Sequence, residues 1–182
     1  MANPYIPRNL VHGWSETIGA EPQEHQAALT RLLRDQRRLS RFVEENAEQM
    51  GRGSDQITMY LVGVVARMFD LAGGRLKAAT WEQVRDASAK VQKSFAGLLP
   101  VDEGFPTRVR AVEGRAQPHV LDEALLALFE RESKPGEPDL ANPERAKVFL
   151  VLWVCTEVLD ANWQPPKTFS GESSYTFVKI DA

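Results

Sequence analysis

Sulfur and imidazole are scarce in this chain. It holds one cysteine, Cys155, and three histidines in 182 residues. A single thiol can neither close an internal disulfide nor build a multi-cysteine zinc site. His12, His25 and His119 lie far apart, and no His-Glu-x-x-His or Glu-x-x-His pair puts two ligands on one helix face. No metal and no cofactor is therefore expected. The phosphate loop, the dinucleotide fingerprint and the nucleophile elbow are also missing. The apolar run at 148–155 falls well short of the roughly 20 residues that cross a bilayer, so no membrane span is expected. A surplus of basic charge is missing too. The net charge of −3 argues against wholesale nucleic-acid binding. The opening MANPYIPRNLVHGW has no basic region followed by an apolar run, so no secretory leader is expected and the cytoplasm is the expected location.

What is present is a helical pattern around one stretch. The segment KVFLVLWVCTEVLDANW, residues 147–163, is apolar on nearly every side over its first half. A helix of that kind is buried in a protein interior. Asn142 and Pro143 supply a start, and Pro165-Pro166 a stop. Cys155 sits in this stretch and reads as a packed thiol rather than a nucleophile.

The other segments read as helices laid around it. Residues 22–50 repeat Leu29, Leu32, Gln36, Leu39, Val43, Asn46 and Met50 at three-four spacing, one long first helix. Ser54 caps a second, which Gly73-Gly74 ends. Thr80 and Gln83 form a capping box for a third, up to Pro100. Pro118 opens a fourth. Residues 107–112 read as a short strand, with 174–180 as its natural partner. Residues 1–21, with Pro4, Pro7, Gly13 and Gly19 among Tyr5, Ile6, Leu10 and Trp14, read as an extended apolar arm docked on the bundle or on a partner. The expectation is a mainly α, single-domain five-helix bundle (22–182) around a central helix at 143–163, with a small two-stranded β element and the arm at 1–21.

Two charge arrangements stand out. Arg31, Arg34, Arg38 and Arg41 line the face opposite the leucine seam. Like charges so placed repel, and an acidic partner, phosphates or carboxylates of the same fold would offset them. The plain alternative is a solvated face. The second arrangement is a pair of polar stripes on apolar helices. Tyr60, Gly63, Arg67 and Asp70 line one side of the second helix, and Trp153, Glu157 and Asp160 one side of the fifth. Gly63 is a gap that permits close approach or floors a pocket. Facing each other, the stripes would set Arg67 against Glu157 or Asp160, as a structural ion pair or as the wall of a polar pocket. His25, Gln36 and Asn46 form a polar seam that reads as hydrogen-bonded core groups fixing helix register.

Functionally, these observations favour a non-catalytic cytoplasmic protein-interaction module, with a protein partner or a second copy of the chain bound. The alternative is a small-molecule-binding protein or enzyme using a polar pocket between the second and fifth helices.

Overall fold

Local signals start and stop most of the helices, and one buried helix decides how they are arranged. The computed structural model describes residues 2–167 and is 69% helical. In chain order the elements are α1 (Arg8–Ala20), α2 (Pro22–Asp35), α3 (Arg37–Glu48), α4 (Ser54–Ala72), β1 (Arg75–Leu76), α5 (Trp81–Ala96), α6 (Phe105–Arg110), α7 (Pro118–Leu125), a π-helical turn (Leu126–Glu130), α8 (Asn142–Asn162) and β2 (Trp163–Gln164). The mainly α class holds, with eight α-helices among the described residues where five were expected.

The central helix is α8. Twelve of its 21 residues are buried, from Ala146 to Asn162. They lie all round the cylinder, which requires neighbours on several sides; α3, α4, α5 and α7 pack against it. Each fully buried Leu, Val or Phe contributes roughly 1.5–3 kcal/mol. Thr156 and Asn162, the polar residues buried on α8, donate to carbonyls of their own helix, those of Leu152 and Val158, each at 2.8 Å. The N-terminal position falls one residue earlier than expected, on Ala141, whose N–H is met by the Glu144 carboxylate at 3.3 Å.

The expected long first helix is two helices. The three-four spacing runs on through Gln36, but the backbone there turns to φ −113, ψ 56. The reason is not local. The Gln36 side chain is buried and reaches the connection between α4 and α5. Its amide donates to the Lys77 carbonyl at 2.8 Å, and its oxygen accepts from the Ala79 N–H at 3.0 Å. The Ser40 hydroxyl reaches the carbonyls of Leu32 and Leu33, each at 3.4 Å, beside the bond that Leu32 already accepts from the Gln36 N–H at 2.8 Å.

The arm is docked but is not extended along its length. Residues 8–20 are helical, and Pro7 supplies the extended residue ahead of them. Ile6 and Val11 are fully buried and Trp14 packs partly on the core, while Tyr5 stays 46% exposed. Gln117, held in the left-handed region at φ 44, pins the start of the chain. Its oxygen accepts from the Ile6 N–H at 2.8 Å and its amide donates to the Pro4 carbonyl at 2.9 Å. Asn3 donates to the carbonyls of Asp160 and Trp163, at 2.7 and 3.0 Å.

Most of the strand expected at 107–112 is also helical, with 107–110 inside α6. Thr107, Val109 and Val112 are β-branched, which suggested the strand, but Phe105 and Val109 are one helical turn apart and both wholly buried. Phe105 meets Phe95, Phe129 and Phe149 with ring centroids 5.4–6.5 Å apart, an aromatic cluster joining α5, α6, the π turn and α8. The other expected strand, 174–180, lies outside the described residues. The two-stranded sheet that is present pairs β1 with β2 antiparallel, Arg75 opposite Gln164 and Leu76 opposite Trp163. At the start of α4, Gly53 rather than Ser54 takes the capping position.

The bend makes a direct prediction. Gln36→Leu keeps the bulk but leaves a carbonyl and an N–H of the 77–79 segment unmet. It should cost about 2–4 kcal/mol in urea unfolding. Exposed Gln23→Ala should change stability by less than about 0.5 kcal/mol. Equal, small effects would contradict the clamp.

Candidate functional site

The two polar stripes do not meet. The charges on α4 face α2, and those on α8 face α5 and the segment before α7. Arg67 pairs with Glu24 at 3.4 Å, and Asp70 with Arg31 at 3.4 Å. On α8, Glu157 takes Lys90 at 3.0 Å, the Ala116 N–H at 3.0 Å and the Trp153 indole N–H at 3.3 Å. Asp160 accepts from the Gln117 amide at 2.8 Å. Burial holds the Asp160 carboxyl above its ordinary range, against the hydrogen bonds from Gln117 and Asn3. Asp70 is likewise raised by burial, with the Arg31 and Arg67 charges opposing. These groups brace neighbouring elements, with partners other than those expected. Trp153 is 2% exposed and packs against Phe149.

The gap at Gly63 is filled from another helix. The His25 imidazole of α2 lies over it, and a Cβ at Gly63 would come within 2.7 Å of the ring's Cε1. On its other side the ring packs against Tyr60, centroids 4.5 Å apart. His25 is 6% exposed, and neither ring nitrogen reaches a hydrogen-bond partner. Burial pushes its pKa below the ordinary histidine value, the Arg67 charge acts in the same direction, and the Tyr60 backbone opposes them. The ring is therefore neutral at pH 7. Of the expected polar seam, Gln36 is a hydrogen-bonded core group, but its partners are in the 77–79 connection and the helix breaks at it. Asn46 donates to the Phe42 carbonyl of its own helix at 2.8 Å.

The arginine stripe is on the surface, divided by the bend: Arg31 and Arg34 on α2, Arg38 and Arg41 on α3, all exposed. Carboxylates of the same fold offset the repulsion. Besides the Arg31–Asp70 pair, Arg34 meets Asp35 and Arg41 meets Glu45, both at 2.8 Å. Surface pairs of this kind add little stability.

Of the residues singled out in the sequence, Tyr60 stands where the surface is concave. It is 43% exposed and is shared by three cavities. The first, about 310 Å³, lies between α4, the π turn, the 133–140 loop and the first turn of α8. Ile57, Leu61, Leu128 and Leu140 make it apolar, and Arg131, Glu137 and Arg145 charge its rim. The second, about 530 Å³, lies toward α2 and α3 and carries Glu44, Glu48 and Asp55 beside His25. The third, about 570 Å³, runs toward α1, with His12, Glu16, Glu123 and Lys134 on its walls. Gly53 allows the 133–140 loop to close over the first cavity, since a Cβ there would meet the Pro138 ring at 2.8 Å. The π turn brings Ala127, Leu128 and Arg131 to its wall, its wide bond running from the Arg131 N–H to the Leu126 carbonyl at 2.9 Å.

Arg131 and Arg145 were not singled out in the sequence. They lie fourteen positions apart, one at the end of a π turn and one in the first turn of α8, with a non-periodic loop between. The pattern Leu128-x-x-Arg131 after an apolar helix was the one available signal.

Among the described residues, no group of three or more His, Cys, Asp and Glu is placed to hold a metal, and no helix is long and apolar enough to cross a membrane. Burial pushes the Cys155 thiol far above its ordinary pKa. Comparison with family models, curated proteins and solved structures finds no match to this chain.

The fit of His25 over Gly63 predicts a change of sign. Gly63→Ala gains about 1 kcal/mol of helix propensity but forces the ring aside at a cost of about 1–3 kcal/mol. It should be neutral to destabilising in the native sequence and stabilising by up to about 1 kcal/mol in a His25→Ala background. Chemical denaturation of the four-member mutant cycle measures this. Equal effects in both backgrounds would contradict the contact.

Proposed function

We propose that the chain is a non-catalytic helical protein-interaction module whose docking surface is the outer face of α4, centred on Tyr60. The observation that carries this is the exposed Tyr60 ring at the junction of three cavities. Tyrosines set among concave, partly apolar surfaces are the residues on which interface energy concentrates. The charge around Tyr60 changes from carboxylates (Glu44, Glu48, Asp55) on one side to guanidiniums (Arg131, Arg145) on the other. Such a surface suits a partner segment with a basic side and an acidic side, aligned by charge before contact. The exposed arginines 31, 34, 38 and 41 lie outside these cavities and would add long-range attraction to an acidic region of the same partner. A cytoplasmic setting belongs to this proposal, with Cys155 as a free, packed thiol.

The non-catalytic part rests on how the acid–base candidates are used. Glu157 and Asp160 accept hydrogen bonds from their own fold, and Arg67 pairs with Glu24. None of these lines the cavities around Tyr60. The test uses a photo-crosslinking phenylalanine analogue at Tyr60 or at Trp81, which is equally exposed at 44% but lies outside these cavities. In extract of the native cell, position 60 should give a discrete protein adduct and position 81 should not. Tyr60→Arg should abolish capture by the tagged chain without lowering the melting temperature. Equal adducts at both positions, or capture unaffected by Tyr60→Arg, would contradict the proposal.

A further inference from the structure

We infer that the cavity between α4, the π turn and α8 is a binding site for a small amphipathic carboxylate, with its apolar body against Leu61, Leu128 and Leu140 and its carboxylate on Arg145. This cavity forms one side of the docking face proposed above and shares Tyr60 and Arg145 with it, but ligand binding here does not require the protein partner.

The argument begins with charge. Three charged side chains line the cavity: Arg131, Glu137 and Arg145. Arg131 is committed. It meets both oxygens of Glu137, at 2.9 and 3.2 Å, and Glu137 also accepts the Lys134 N–H at 3.1 Å. That pair cancels within the rim. Arg145 is held only loosely. Among the described residues its carboxylate contact is Asp139 at 3.5 Å, and the Asp139 side chain is 95% exposed while that of Arg145 is 23% exposed. A part-buried arginine side chain next to an apolar wall favours an anion that its guanidinium can meet with two oxygens. The cavity as a whole therefore carries one positive charge and suits one negative charge.

Size and polarity define the rest of the ligand. At about 310 Å³ the cavity is at the lower end of the range for ligand sites. With roughly 30 Å³ for each water-sized unit, it holds about ten. The floor is aliphatic, from Ile57, Leu61, Leu128 and Leu140. A linear or branched aliphatic monocarboxylate of about ten heavy atoms fits both the volume and the charge. The cavity on the other side of Tyr60 carries Glu44, Glu48 and Asp55 and would repel the same ligand. Preference for a carboxylate over an amine is thus local to the Arg145 side.

The probe is octanoate, titrated calorimetrically below its micelle-forming concentration into the full chain, with octylamine and 1-octanol as cationic and neutral matches. Octanoate should bind saturably at one site, and neither match should do so at the same concentrations. Arg145→Gln should weaken binding at least ten-fold, Arg145→Lys should weaken it less, and Leu128→Trp, which fills the cavity, should abolish it. Unchanged affinity in Arg145→Gln, or octanol binding as tightly as octanoate, would overturn the inference. A further readout needs no variant. In the wild-type chain the Arg145 Nε–H resonance should move as octanoate saturates, and saturation that leaves it unmoved would overturn the site. Loss of octanoate binding with Tyr60-dependent protein capture intact would remove this inference alone.

Discussion

Twelve side chains of α8 leave water together when the chain folds, and α4, α5 and α7 give up their own apolar faces to receive them. That shared burial sets where the other elements go. α8 is apolar nearly all round, so no single partner helix can satisfy it. The chain answers by coming back to it repeatedly. α4 and α5 lie along it, the 115–117 segment caps Glu157 and Asp160, and the residues ahead of α1 fold over its C-terminal end. α6 adds the Phe105 ring at the end nearer Phe149.

A core this apolar makes each polar group in it expensive. Several backbone groups there are met by two glutamines that act over long sequence distances. Gln36 satisfies the 77–79 segment, and Gln117 joins the start of the chain to Asp160. Both side chains present a donor and an acceptor together, which a chain segment crossing the core needs. Among the described residues the Ser54 hydroxyl has no partner, and neither has either ring nitrogen of buried His25. Its packing between Gly63 and Tyr60 fixes the position of the Tyr60 ring from below, and so links α2 to the face proposed for docking.

The sequence revealed elements whose signals are local. The capping box at Thr80 and Gln83 is present as expected, Gly73 ends α4 in the positive-φ region, and Pro118 opens α7. The central helix was readable because a continuous apolar run bounded by prolines admits few other placements. What was not readable depends on distant residues. Nothing near Gln36 marks the bend, because the groups that hold its side chain are 41 and 43 residues away. The β-branched residues of α6 pointed to a strand, and burial of Phe105 and Val109 one turn apart outweighed that preference. The polar stripes on α4 and α8 were identified residue by residue, but the direction each faces depends on how the helices are rotated against each other. Tyr60 of α4 reached the cavities, and the guanidiniums opposite it come from the end of the π turn and the first turn of α8, joined by a loop with no period.

The account stands or falls on α8 as the element around which the remainder assembles. Native-state hydrogen exchange across increasing denaturant tests this most directly. The account predicts that the amides of Val151–Leu159, together with the buried turns of α4, exchange only by global unfolding. Those of α1 and α2, which share the core but pack mainly on α4, α7 and each other rather than along α8, should open first at lower free energy. Exchange of the α8 amides ahead of α1 and α2 would contradict it.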